Sequence, residues 1–114
     1  MNYTTEPASP ESGADEVRVY GDGSRWWCRN GRPHREDGPA VEWADGSRAW
    51  CRNGLAHRED GPAYEGADGT RWWYRYGRLH REDGPAIGGS DGTREWYLDG
   101  VVMTEREWRE KVGK

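Results

Sequence analysis

His34-Arg35-Glu36-Asp37-Gly38-Pro39-Ala40 recurs without a change at His57–Ala63 and at His80–Ala86, each copy 23 residues after the one before. A second marker keeps the same period: Asp-Gly-Ser/Thr-Arg, beginning at Asp22, Asp45, Asp68 and Asp91. Self-similarity at this spacing specifies an array of like supersecondary units, each able to bury its apolar face only against a neighbour. The repeat decides the architecture. It also marks as scaffold whatever occurs in every copy.

Within a unit, the spacing predicts antiparallel strands joined by tight turns. Asp45-Gly46 and Asn53-Gly54 sit between strand-like runs, and the pattern returns at Asp22-Gly23, Asn30-Gly31, Asp68-Gly69, Asp91-Gly92 and Asp99-Gly100. Read as two-residue type I′ turns, they fix the pairing register. Val41 then falls opposite Trp50, Ala40 opposite Cys51, and Cys51 opposite Ala56. One face collects Val17, Cys28, Pro33, Ala40, Ala63, Tyr74, Leu79, Ala86, Tyr97 and Val102. The other carries a structural ladder of Trp27, Trp50, Trp73 and Trp96, with His34, His57 and His80 across from the tryptophans and arginines beside them. The expected fold is all-β: an elongated, twisted antiparallel β-hairpin array over 15–103, made of a half repeat and four units.

The two ends break the pattern. Residues 1–14 are rich in Ser, Thr, Pro, Glu and Gly and read as a disordered tail. At the other end Met103 replaces the histidine, and Thr104-Glu105-Arg106-Glu107 has the form of a capping box. A short capping helix is therefore expected over 104–114. Val101, Val102, Trp108 and Val112 would fold it over the last hairpin.

Mean hydropathy is −1.24, yet the chain holds eight Trp and six Tyr. A buried Trp removes roughly 150–250 Å² from water, worth about 4–6 kcal/mol, so a thin aromatic layer can replace an aliphatic core. The net charge of −4 argues against general affinity for nucleic acid. No apolar run is long enough to span a bilayer, and the N-terminus lacks the plan of a signal peptide, which makes the cytoplasm the expected compartment. Cys28 and Cys51 hold equivalent positions that Tyr74 and Tyr97 occupy later. They read as small packing residues rather than a disulfide, redox or metal pair.

A unit of Asp-Gly-Ser/Thr, a Trp strand and then Asn-Gly-x-x-His resembles the MORN or MORN-like β-hairpin repeats, over residues 15–103. The usual Tyr-x-Gly-x-Trp is missing, and His-Arg-Glu-Asp-Gly-Pro-Ala stands where His-Gly-x-Gly belongs. Arrays with this variant heptapeptide, often closing on Leu/Met-Thr-Glu-x-Glu, resemble small proteins of bacteria, phages and large viruses. The resemblance implies binding or scaffolding. The family's lipid binding rests on basic patches that this acidic chain does not clearly show.

Each His-Arg-Glu-Asp block offers donor types suited to a metal or to acid–base work. Triplication on a regular edge, however, gives three equal shallow loops instead of one asymmetric pocket. The blocks read as inter-repeat staples, and no catalytic, cofactor or metal site is assigned. The Arg-Trp-Arg stripe reads as cation–π cover for the Trp ladder.

Positions that break the period are freer of scaffold duty. Trp26 and Trp72 replace Ala49 and Glu95, while Trp43 and Tyr20 stand where Gly66 and Gly89 occur. Tyr76 takes a turn position that favours Asn or Asp. Trp26, Trp43, Tyr64, Trp72 and Tyr76, with Arg32 and Arg78, are the partner-binding candidates, being of the types that anchor interfaces. The expected function is that of a non-enzymatic module binding a protein through an aromatic and arginine-bearing face. Alternatives are a phage or mobile-element inhibitor of a host defence complex, acting in the host cytoplasm, and a binder of single-stranded nucleic acid or carbohydrate. An open sheet edge, or a face, also permits a homodimer.

Overall fold

The two kinds of turn in each unit fold differently, and the difference sets the register of the array. The computed structural model describes residues 2–113. In it, Asn30, Asn53, Tyr76 and Asp99 have φ of 52, 50, 48 and 49°, and the glycine after each is also left-handed. These are the expected type I′ turns. At the Asp-Gly turns only the glycine is left-handed, with φ of 90 to 95° at Gly23, Gly46, Gly69 and Gly92. There the Trp43 N–H donates to the Ser47 carbonyl and the Gly46 N–H to the Trp43 carbonyl. Ala44-Asp45-Gly46 is thus a three-residue loop, a type I turn ending in a glycine bulge. The Asp45 carboxylate holds it by accepting the Ser47 N–H at 2.8 Å. The extra residue corrects the expected register: Val41 pairs with Ala49, not Trp50.

The chain begins with β1 (Tyr3–Glu6), a 3-10 turn at Pro10–Ser12, β2 (Glu16–Tyr20), β3 (Arg25–Arg29) and β4 (Arg32–Pro33). The second full unit adds β5 (Val41–Glu42), β6 (Arg48–Ala49), β7 (Cys51–Arg52) and β8 (Leu55–Ala56). The third adds β9 (Tyr64–Glu65), β10 (Arg71–Trp72), β11 (Tyr74–Arg75) and β12 (Arg78–Leu79). Then come β13 (Ile87–Gly88), β14 (Arg94–Leu98), β15 (Val101–Met103) and α1 (Glu105–Val112).

The antiparallel hairpin meander with one C-terminal helix is as expected, and the molecule is elongated, 48 × 26 × 21 Å. The main sheet runs β1-β2-β3-β5-β6-β9-β10-β13-β14-β15, with β4 on β3. The pairs β7–β8 and β11–β12 are separate hairpins. Their separation arises at Trp50 and Trp73, which belong to no strand and whose N–H groups donate to Ala63 and Ala86 carbonyls of the next unit. Each middle unit is therefore a sheet hairpin plus a side hairpin.

Because the chain turns at these points, adjacent residues can both be buried. Ala40 and Val41 pack with Ala49 and Cys51 in one core cluster, against Trp26, Trp43 and Tyr64. Ala40, Ala63 and Ala86 are fully buried where successive units meet. Cys28 and Cys51 are buried and free, and burial pushes the Cys51 thiol up to about 11.

The N-terminal expectation is corrected for all of residues 1–14 that the structure describes; Met1 lies outside the described residues. β1 pairs with β2 from Tyr3↔Tyr20 to Glu6↔Val17. The Tyr3 ring lies 5.3 Å from that of Tyr20, with the Arg18 guanidinium 4.8 Å over it. Ser12 is fully buried and its carbonyl accepts the Glu36 N–H. The physical reason is the open edge of β2, which an extended segment covers whatever its mean hydropathy.

At the C-terminus the capping box forms as expected: Thr104 Oγ1 accepts the Glu107 N–H, and the Glu107 carboxylate accepts the Thr104 N–H. Lys114 lies outside the described residues. Trp108 is 2% exposed, its ring 4.6 Å from Trp96, and its indole N–H donates to the Arg81 carbonyl at 2.7 Å. Val101 and Val102, expected beneath the helix, are instead 60% and 61% exposed. Trp108→Ala is accordingly expected to cost about 3–5 kcal/mol in urea denaturation. Val102→Thr should stay within about 0.5 kcal/mol of the parent.

Candidate functional site

The heptapeptide works as a joint between units. His34, His57 and His80 are buried. Their Nδ1 atoms accept backbone N–H groups from the next side turn: Asn53 at 3.0 Å, Tyr76 at 3.0 Å and Asp99 at 2.9 Å. Accepting at Nδ1 puts the ring proton on Nε2. That N–H donates to Glu36 at 3.0 Å and Glu82 at 2.7 Å. These bonds hold both carboxyl groups below the usual carboxylate range. Glu59 lies 3.7 Å from His57 Nε2, which has no hydrogen-bond partner.

The arginine after each histidine folds over a tryptophan. Arg35, Arg58 and Arg81 place their guanidinium carbons 3.9, 3.8 and 3.8 Å from the Trp27, Trp50 and Trp73 ring centres. Each guanidinium then donates to the aspartate two residues on and to the proline carbonyl four residues on, as Arg35 does to Asp37 and Pro39. An added Cβ at Gly38, Gly61 or Gly84 would come within 2.9, 2.9 or 2.7 Å of the arginine. So the glycine is required by the lid. Every residue type in the block but the proline ring has a scaffold task.

Trp27, Trp50 and Trp73 of the ladder therefore lie under arginine, and Trp96 lies against Trp108. The ladder is joined on this face by a charge row that crosses the sheet: Arg25↔Glu42↔Arg48↔Glu65↔Arg71↔Gly88↔Arg94. Arg48 and Arg58 both engage the Glu65 carboxylate, and Arg35 lies 3.7 Å from Glu42. Among the described residues, no three His, Cys, Asp or Glu side chains converge to hold a metal ion.

The opposite face carries the second row, Arg18↔Trp26↔Val41↔Ala49↔Tyr64↔Trp72↔Ile87↔Glu95. The corrected register brings Tyr64 into line with Trp26 and Trp72, which share one repeat position two periods apart. Trp43 meets Tyr64 edge-on at 6.0 Å, and Tyr64 lies 5.6 Å from Trp72. Trp72 is 36% exposed, Leu55 is 48% exposed, and both border a cleft of about 400 Å³ with Ala49, Ala63, Tyr64 and Tyr74. Arg32, Leu55 and Arg78 occupy equivalent places on successive side hairpins, each lying against the turn glycine of the next: Gly54, Gly77 and Gly100. Arg32 and Arg78 thus flank Leu55 at this edge. Tyr76 does not join the row; it stacks on His57 with ring centres 4.1 Å apart.

The sequence pointed to a single face bearing both aromatics and arginines, and the register divides part of that set. Arg25, Arg48, Arg71 and Arg94 lie with the Trp ladder, while Trp26, Trp43, Tyr64 and Trp72 lie on the other side, with Arg18 in their row and Arg32 and Arg78 at the edge beside Leu55. The sequence reading singled out Arg32 and Arg78 at the equivalent positions and passed over Leu55 between them. No protein family, curated protein or solved structure matches the chain. Among the described residues, no helix is long and apolar enough to cross a membrane.

Two tests follow from the joint. Gly61→Ala drives Arg58 off Trp50 and is expected to cost about 1–3 kcal/mol by chemical denaturation. In acid, the depressed carboxyl groups of Glu36 and Glu82 matter, as do Asp22, Asp68 and Asp91, held low chiefly by hydrogen bonds from Ser24, Thr70 and Thr93. A depressed folded value gives stabilisation that is complete above the unfolded carboxylate range, near pH 4, and is lost as pH falls through the folded value. The expected result is a urea midpoint that declines below about pH 4.

Proposed function

We propose that the chain is a MORN-like, non-enzymatic repeat module that binds a protein partner through the aromatic row and its cleft. The observation that carries this reading is the line of Trp26, Tyr64 and Trp72 beside Leu55. It leaves Trp72 and Leu55 open to solvent at the mouth of an apolar cleft. The repeat itself accounts for the His-Arg-Glu-Asp blocks, whose polar groups are taken up in joining units. Trp26, Trp43, Tyr64 and Trp72 are not required by the repeat, since Ala49 and Glu95, Gly66 and Gly89, and Val41 and Ile87 stand at the equivalent positions. Large aromatics that exclude water around a small pocket are the usual anchors of a protein interface. Buried free thiols at Cys28 and Cys51 suit a reducing compartment such as the cytoplasm.

The test is affinity capture with the folded chain as bait, repeated with Leu55→Glu and Trp72→Glu. Each variant is expected to lower recovery of a captured protein at least tenfold, with a thermal midpoint within a few degrees of the parent. Recovery unchanged in both variants overturns the reading.

A further inference from the structure

The charge row on the Trp-ladder face is interrupted once. Glu42 and Glu65 occupy equivalent positions one period apart, and the next such position is Gly88. The backbone does not change there: Gly88 pairs with Arg71 and Arg94 just as Glu65 pairs with Arg48 and Arg71. Gly88 has no left-handed φ, and a Cβ built on it meets nothing within 4 Å. Neither conformation nor crowding requires glycine.

What the glycine removes is a carboxylate from a place where arginines converge. One period earlier, Glu65 takes Arg48 from the neighbouring strand and Arg58 from the heptapeptide. Around Gly88 the corresponding groups are Arg71, Arg81 and Arg94. Arg81 keeps its place over Trp73, with Asp83 and the Pro85 carbonyl as partners. Arg71 stands across the strand pair from Glu65, whose carboxylate is taken by Arg48 and Arg58; among the described residues no carboxylate makes an ion pair with Arg71 or Arg94, and both are exposed. Their strands flank β13, so their backbones stand about 10 Å apart and both side chains can reach a group placed between them. In a chain of net charge −4 this is a local cationic gap.

We propose that Arg71, Arg81 and Arg94 around Gly88 form a receptor for a carboxylate side chain carried by an acidic segment of a protein partner. The partner's Asp or Glu takes the place that Glu42 and Glu65 fill from within the chain. Carboxylate is favoured over other anions because the same fold sets a carboxylate beside the heptapeptide arginine at the two preceding positions, Glu42 near Arg35 and Glu65 between Arg48 and Arg58. Charge-assisted, two-pronged contacts of this kind are among the stronger polar interactions a surface can make. This receptor faces away from the aromatic row and goes beyond the function proposed above.

The test uses the full chain, a synthetic peptide of alternating Thr and Glu, and its Thr-Gln counterpart. Binding is followed by the side-chain Nε–Hε signals of Arg71, Arg81 and Arg94 in NMR. The Glu peptide is expected to shift these three signals, and the Gln peptide to bind at least tenfold more weakly. Gly88→Glu should move the same signals without ligand, raise the melting temperature, and weaken the Glu peptide at least tenfold. The pair Arg71→Gln with Arg94→Gln should lose the peptide without creating an internal competitor. Equal binding of both peptides, or peptide binding that survives Gly88→Glu, overturns the proposal. So does an oligothymidylate that binds the parent more tightly than the Glu peptide and is lost in Gly88→Glu, which assigns the gap to phosphate.

Discussion

Each unit is tied to the next by a buried imidazole that accepts a hydrogen bond from a backbone N–H nineteen residues further on. That contact makes unusual demands. The donating N–H belongs to the first left-handed residue of a type I′ turn. The histidine must keep Nδ1 free of a proton, which the glutamate on Nε2 favours in the first and third copies. The arginine beside the histidine then closes over the tryptophan, and the glycine three residues past that arginine leaves room for it. Turn, histidine, lid and glycine form one interlocked joint. A buried imidazole nitrogen left without its donor would cost about 1–3 kcal/mol, so the members depend on one another.

The dependence explains which parts of the fold were legible in the sequence. Period, hairpins, side turns and the helix cap could be read because each rests on local chemistry: Asn-Gly for φ, Thr-x-x-Glu for the cap. The Asp-Gly turns misled because the dipeptide suits both a two-residue loop and a type I turn with a glycine bulge. What decides is the following Ser or Thr, whose N–H binds the Asp carboxylate. One residue of register then moved whole sets of side chains between faces. The N-terminal strand was hidden for another reason. Tyr3–Glu6 carries no signal of its own, and its order depends on the edge offered by β2.

The candidate surface was legible in residue type but not in arrangement. Trp26, Trp43, Tyr64 and Trp72 stood out as departures from the period, and the row they form needed the true register. Tyr76 stood out for a different cause. Its φ of 48° is unfavourable for a bulky residue, and its ring lies on His57, the one joint histidine whose Nε2 lacks a hydrogen bond. Gly88 was the hardest to see, since its signal is a missing side chain in an otherwise alternating charge row.

Uniform units can only repeat one surface, so recognition must come from where the units differ. The scaffold makes such differences inexpensive, because backbone pairing and the buried joints supply the order while strand side chains facing solvent are left free. Trp72, Tyr76 and Gly88 all fall in the third unit or at its boundary, and each alters a different surface: the aromatic row, the side-hairpin tip and the charge row. Trp72 adds apolar area where Ala49 and Glu95 stand in its neighbours. Gly88 uncovers charge where Glu42 and Glu65 neutralise it. The two changes lie on opposite faces of neighbouring strands, β10 and β13. A segment passing over one face therefore cannot reach both without rounding the end of a strand. The third unit thus bears an apolar opening on one face and a cationic one on the other, both set by the same strand pairing and the same joints.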